Sequence, residues 1–271
     1  MSAIAHPSPA DRLLRLFASR RWRGFLTLQR VLGRKTILLR TNYGAVFEVH
    51  PEDYIDRVVL QEGFYESEVF EALRPCFAPD AILWDIGANF GLHSVSAALT
   101  WPAMQIHCFE PSPLICARLQ AHAARNHVAL NCWPLALGDR DGTATLHINA
   151  RGNPGMTTLT PWAGADYDSR ATVTVARAET LINAGRVPAP TLIKLDVEGS
   201  EAAVLAGFGD YLRRPALRAV VFETRADLLD DPARCPAARL LQAAGFTFTA
   251  LRRNENSTHA LGNFIATRAG P

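Results

Sequence analysis

Cysteine is scarce in this chain: Cys76, Cys108, Cys116, Cys132 and Cys235 form an odd set of five with no C-x-x-C spacing. That excludes a disulfide framework and a structural zinc site as organising elements, and a reducing cytoplasm is the expected location. Also lacking are any uncharged apolar run long enough to span a bilayer and the basic, apolar, small-residue order of a secretory signal. The expectation is a soluble protein. Acidic residues are missing altogether between Arg12 and Arg40, a stretch that holds Arg12, Arg15, Arg20, Arg21, Arg23, Arg30, Arg34, Lys35 and Arg40. Because the whole chain carries a formal charge of only +2, the remainder is net acidic. Internal repeats and low-complexity tracts are absent too, which excludes solenoids and disordered tails.

What is present suits one sizeable core with an extension before it. The 271 residues are 48% hydrophobic, ample for a single large domain. Residues 1–60 read as a basic extension. Within it, Ala10 to Val31 mixes leucine and phenylalanine with arginine, as short amphipathic helices do, and Thr36 to Thr41 and Ala45 to His50 flank a turn composition, predicting a hairpin. Residues 61–271 read as the main domain. From about Asp80, short β-branched or apolar runs alternate with helical patterns, which predicts an α/β fold with a mostly parallel sheet and helices on both faces. Seven strands are placed near Ala81–Asp85, Gln105–Glu110, Leu130–Leu137, Leu192–Asp196, Ala219–Glu223, Thr247–Leu251 and Asn263–Thr267. Between the third and fourth, two more strand-like runs, Thr143–Asn149 and Thr172–Arg177, bracket a Gly-, Pro- and Thr-rich stretch predicted to loop over the sheet edge.

The first of these strands ends Asp85-Ile86-Gly87-Ala88-Asn89-Phe90-Gly91 and then turns into a helix. In open α/β sheets, ligands bind at such carboxyl-end turns, and Gly87 and Gly91 would let the backbone approach one closely. A dinucleotide fingerprint requires further glycines where Asn89 and Leu92 stand, so a pyrophosphate ligand is disfavoured. Asp85 suits an ammonium group instead, directly or through water. The second strand ends Phe109-Glu110-Pro111, placing a carboxylate that can accept both hydroxyls of a ribose. The fourth delivers a dense acidic cluster, Asp196-Val197-Glu198-Gly199-Ser200-Glu201, to the same edge.

Taken together, Asp85 to Gly91, Phe109 to Pro111 and Ile193 to Glu201 resemble the FkbM family of methyltransferases, as do Gly63 to Glu66 and Ala136 to Gly138. The resemblance covers roughly Glu62 to the C-terminus. It implies a class I, Rossmann-like fold with strand order 3-2-1-4-5-7-6, S-adenosylmethionine as cofactor, and O-methylation of a sugar, glycan intermediate or secondary metabolite. Asp85, Gly87, Asn89, Gly91, Glu110, Pro111, Ala136 and Asp196 are then the expected cofactor-binding residues. Glu179 stands where members of the family usually carry Asp.

For chemistry, Asp196 is the first candidate to orient or deprotonate a hydroxyl, with Glu198 second and Glu66, beside Phe64 and Tyr65, third. The blander alternatives are that Asp196 caps the following helix, that Glu198 serves its positive end, and that Glu66 is a solvated surface acid. His93 is better read as a satisfied buried histidine than as a base. Asp196 and Glu223 at adjacent strand tips do not by themselves make a metal site, and metal independence is expected. Asn153 to Thr158 and Trp162, with Tyr167, lie where an acceptor would enter. The basic stretch from Arg12 to Arg40 suits an anionic membrane surface, a phosphorylated acceptor or RNA, set against a merely solvated helix face, and the first two are favoured. Nucleic-acid methylation is disfavoured, since the acid of Asp196-Val197-Glu198-Gly199 is not followed by the two prolines and aromatic residue of many base methylases. A catalytically silent cofactor-binding module is the remaining alternative.

Overall fold

A computed structural model describes residues 6–20, 24–33, 35–149, 157–161, 167–251 and 261–268, with only the backbone described at Leu26, Arg30 and Leu261. Helix α1 (Pro9–Ser19) starts where its sequence provides a capping box: the Ser8 hydroxyl accepts from the Asp11 amide at 3.2 Å, and the Asp11 carboxylate accepts back from the Ser8 amide at 2.9 Å. After α2 (Phe25–Val31), strands β1 (Ile37–Arg40) and β2 (Val46–Val49) form the expected hairpin, pairing antiparallel from Ile37 with Val49 to Arg40 with Val46. Helices α3 (Tyr54–Glu62) and α4 (Ser67–Leu73) follow. Leu14, Phe25, Phe47, Val59 and Phe70 belong to the same buried cluster as Leu83 and Ile106 of the main sheet. The described part of the first sixty residues therefore shares one core with a face of that sheet.

The remaining elements alternate as expected: β3 (Ile82–Ile86), α5 (Leu92–Thr100), β4 (Gln105–Phe109), α6 (Pro113–Arg125), β5 (Asn131–Trp133), β6 (Ala136–Leu137), β7 (Gly142–Ile148), β8 (Ser169–Ala176) and α7 (Ala178–Asn183). Then come β9 (Leu192–Leu195), α8 (Glu201–Ala206), β10 (Ala219–Arg225), α9 (Pro236–Ala243), β11 (Thr247–Leu251) and β12 (Leu261–Thr267). The seven-stranded sheet runs β5-β4-β3-β9-β10-β12-β11, parallel except that β12 is antiparallel to both neighbours. In chain order this is 3-2-1-4-5-7-6, the class I methyltransferase order. Burial on both faces explains the near-continuous apolar strands. Along β3 and β9, Leu83 and Leu192 face the cluster that contains α5, whereas Trp84, Ile86, Ile193 and Leu195 face a second cluster with Val204 of α8 and Leu241 of α9.

The third predicted strand needs correction. Leu130 to Leu137 is not one strand: β5 pairs with β4, and after Pro134 the chain leaves the main sheet as β6. Proline has no amide to donate to a ladder, so pairing stops there. Strand β6 instead pairs parallel with β8, which pairs antiparallel with β7, making a separate three-stranded sheet, order β6-β8-β7. The predicted insert strands are thus the body of a small sheet beside the cleft.

Candidate functional site

At the end of β3 the backbone of Gly87, Asn89 and Gly91 is left-handed, with φ of 76°, 49° and 86°. The reason for the glycines differs from the one their spacing suggested. A Cβ on Gly87 would sit 1.7 Å from the Asp196 carbonyl oxygen, and one on Gly91 would sit 2.9 Å from Cγ of Leu119. The space a side chain would take is filled by protein, so these positions serve close packing of the β9 loop and of α6. Amides of Gly87 and Ala88 donate to the Phe109 carbonyl at 2.9 and 3.2 Å, which fixes the turn beside the tip of β4. There Glu110, buried, accepts from the Asn89 amide at 3.1 Å and from the Ser112 amide at 2.9 Å. Burial outweighs these two bonds and pushes its pKa up to about 7.

Gly87, Asn89, Glu110, Pro111, Ala136, Asp196 and Glu198 line one cleft at the carboxyl edge of the sheet, with an empty volume of about 800 Å³. Three expected site residues do not reach it. Asp85 is 1% exposed and lies beneath the cleft, where its carboxylate accepts from the Ser94 hydroxyl at 2.5 Å and stands 3.6 Å from the Lys194 ammonium. The expected direct contact of its carboxylate with a ligand's ammonium is therefore corrected: its partners are Ser94 and Lys194. Gly91 starts α5 behind the turn. Glu66 is a buried residue at the start of α4 that accepts from the Asn263 side-chain amide at 3.3 Å, and its neighbour Tyr65 is the residue that lines the cleft. The reading of Glu66 as a surface acid fails as well. His93 is half-buried, packed against Phe64 at 5.2 Å with its ring nitrogen 3.4 Å from the Glu66 carbonyl, and desolvation holds its pKa down at about 3. It is a neutral core histidine.

Lys194 escaped notice in the sequence, although a lysine inside the otherwise apolar Leu192-Ile193-Lys194-Leu195 was a signal. Its register partner on β3 is Asp85. The buried ammonium donates to Asp196 Oδ2 at 3.1 Å and to the Gly87 carbonyl at 3.3 Å. Burial opposes its charge, but Asp196 and Asp85 overcome that and lift its pKa above the ordinary lysine range. Beyond it, Asp196, Glu198 and Glu223 place ligand atoms within 4.8 Å of one another, a spacing a divalent ion could bridge. Burial first, then the neighbouring carboxylates, pushes Glu198 up to about 8 and Glu223 to about 10.

The blander roles of the acids are distributed differently. Ser200, not Asp196, precedes α8, and Glu201 accepts from the Val197 and Gly199 amides at 3.3 and 3.1 Å. Glu198 is left facing the cleft, in left-handed conformation at φ 55°. Thr157 and Thr158 of the insert line the cleft too, and the Thr158 hydroxyl donates to the Glu198 carbonyl at 2.8 Å. Tyr167 packs on His147 at 5.5 Å, while Asn153 to Met156 and Trp162 fall outside the described residues.

The chain is 30% identical over 235 residues to the 31-O-demethyl-FK506 methyltransferase FkbM of Streptomyces tacrolimicus, covering 77% of this chain and 85% of that protein. It is 26% identical over 225 residues to the hexuronic acid methyltransferase AglP of Haloferax volcanii, covering 82% and 86%. Among solved structures, magnesium protoporphyrin IX methyltransferase of Synechocystis superposes with a TM-score of 0.45 at 13% identity, over 99% of this chain and 100% of that one. The cleft itself fits S-adenosylmethionine: a carboxylate offers about four acceptor positions, so Glu110 keeps room for ribose hydroxyls beside its two amides, and Ile115, Leu137 and Leu146 offer an apolar wall for a purine. With residues 85–248 matching the methyltransferase FkbM domain, the chain belongs to the FkbM family of S-adenosylmethionine-dependent methyltransferases.

Proposed function

We propose that this methyltransferase acts on oxygen, methylating a hydroxyl of a small-molecule or glycan acceptor, with Glu110, Asn89, Gly87, Pro111 and Ala136 holding the cofactor. The observation that carries the reading is the pair of carboxyls at the β9 end of the cleft, Asp196 and Glu198, whose oxygens lie within 4.8 Å of one another, with Glu198 pushed up to about 8 by burial and by Asp196. A base tuned to that range is what removal of a hydroxyl proton requires. When bound, S-adenosylmethionine supplies a sulfonium methyl group and leaves as S-adenosylhomocysteine once the oxygen–methyl bond has formed. Asp196, held by Lys194, orients the acceptor hydroxyl, and Glu198 takes its proton. Glu66 supports the fold behind Tyr65 and touches neither reactant. The relatives named for 31-O-demethyl-FK506 and for hexuronic acid support an oxygen acceptor.

The test uses a labelled methyl donor across pH. Turnover should rise as Glu198 ionises through about 8, and Glu198→Gln should lose that limb together with roughly a hundredfold or more of kcat. The product should be a base-stable ether; a base-labile ester, or an unchanged profile in the variant, refutes the assignment.

The basic extension has a second role in this reading, peripheral contact with an anionic membrane or a phosphorylated acceptor. Leu13 and Leu16 of α1 are 46% and 47% exposed beside exposed Arg12 and Arg20, an arrangement that suits the interface of an anionic bilayer. No helix among the described residues is long and apolar enough to cross a membrane.

A further inference from the structure

Helix α6 and its C-cap carry Arg118, His122 and Asn126, spaced four residues apart and so on one helix face. All three bond the backbone of β2. Asn126 accepts from the Val46 amide at 2.7 Å and donates to the Val46 carbonyl at 2.8 Å. Two residues on, Arg118 donates to the Glu48 carbonyl at 2.9 Å, and the Glu48 amide donates to His122 Nε2 at 3.3 Å. Among the described residues β2 pairs only with β1, and these side chains satisfy the edge that a further strand would take.

His122 also reaches the turn that follows β3. Its Nδ1 lies 2.9 Å from the Phe90 carbonyl. The ring is 2% exposed and burial holds its pKa down at about 4, so it is neutral and carries a single proton. With Nε2 accepting from Glu48, that proton sits on Nδ1 and is donated to Phe90. Arg118 holds the Phe90 ring itself, its guanidinium carbon 4.6 Å from the ring centroid, and Phe47 of β2 packs edge-on to the same ring at 5.8 Å. Arg118 also pairs with Asp56 of α3, whose neighbour Ile55 lines the cleft.

We propose that His122 and Arg118 are positioning residues for the cofactor: they clamp the turn carrying Asn89 to the β1–β2 hairpin, which makes that hairpin part of the cofactor site. The inference rests on the reading above that Gly87, Asn89 and Glu110 hold the cofactor. Asn89, which lines the cleft, has φ of 49°, a conformation that residues with a side chain adopt only where their surroundings enforce it. On one side the enforcement comes from Phe109 and Glu110, which accept from the Gly87, Ala88 and Asn89 amides. On the other it comes from His122 at the next residue, Phe90. Loss of that bond leaves a carbonyl without its partner and lets the turn relax away from the geometry the cofactor meets.

The experiment is calorimetric titration of His122→Asn and His122→Gln with S-adenosylhomocysteine. The asparagine nitrogen falls near the place of Nδ1 and keeps the bond to Phe90, whereas the glutamine amide falls near Nε2 and keeps the bond to Glu48. Each variant loses one bond, so a merely structural role gives both the same affinity. Positioning through the turn instead keeps the asparagine variant within about threefold of wild type and weakens the glutamine variant about tenfold. Asn126→Ala, which loosens the hairpin without touching the turn, should also stay within about threefold. Equal weakening of the two His122 variants, or the reverse order, overturns the proposal. Should either not fold, hydrogen exchange of the wild-type protein in rising urea decides. The Glu48 and Phe90 amides should open as one unit, and Glu48 opening at lower urea while Phe90 stays protected overturns the clamp. Failure of the wild-type protein to bind S-adenosylhomocysteine would instead strike the cofactor reading, and the exchange measurement would still decide the clamp.

Discussion

Replacing Lys194 with methionine removes a single charge from the centre of the site and should cost far more than an ordinary polar substitution. The side chain is 7% exposed, and its partners differ: Asp85 is 1% exposed at 3.6 Å, Asp196 27% exposed at 3.1 Å. At an effective dielectric of about 20, a unit pair at the Asp85 distance is worth roughly 5 kcal/mol, part of which is offset by no longer burying an ammonium. Asp196, better hydrated, adds little. Stranding the Asp85 carboxylate therefore costs about 3–5 kcal/mol, a fall in Tm on the order of 10 °C for a chain of this size. Urea and thermal unfolding of Lys194→Met, Asp85→Asn and the double variant measure it. Because the double variant leaves no stranded charge at this pair, it should be less destabilised than the sum of the singles by about 1–3 kcal/mol. A cost below about 1 kcal/mol for Lys194→Met, or strict additivity, would refute the buried pair as an organising contact.

Three further outcomes follow from the same geometry. Glu110→Ala should weaken S-adenosylhomocysteine binding by roughly 1.5–3 kcal/mol, and wild-type affinity should rise with pH through about 7, because ribose hydroxyls donate to the ionised form of a carboxyl that burial keeps partly protonated; a flat profile with unchanged affinity would remove Glu110 from the site. Exhaustive chelation should leave turnover intact, since Lys194 already supplies a positive charge to the acidic cluster, and a loss restored by magnesium would make Asp196, Glu198 and Glu223 metal ligands. The protein should co-sediment with phosphatidylglycerol vesicles at low salt and be released at high salt. Binding that survives Leu13→Glu with Leu16→Glu would show that α1 does not carry it.

Much of the fold was legible because its strands obey a simple rule. The central strands, buried on both faces, read as short apolar runs, and the first two end in turns whose residues announce them, Gly87 to Gly91 and Glu110-Pro111. The strand break was legible as well, in Pro134, but the apolar residues on either side of it outweighed the proline in the expectation. Other features were beyond local pattern. Gly91 owes its identity to Leu119 on another helix, and Glu66 to Asn263 near the far end of the chain. Such pairings exist only once the sheet order has been set, and nothing within a window of neighbouring residues encodes them.

The same holds, with more consequence, for the charge balance of the site. Asp85 and Asp196 were both legible as acids at strand ends, and each was given a ligand to bind. The register of β3 against β9 puts Lys194 between them instead, so one cation serves a carboxylate beneath the cleft and another that lines it. Having met those two acids, Lys194 cannot fully compensate Glu198 and Glu223, and burial then keeps both protonated to higher pH than ordinary glutamates. In the proposed mechanism the base strength of Glu198 follows from this crowding, since burial first and then the neighbouring Asp196 and Glu201 carboxylates push it up to about 8.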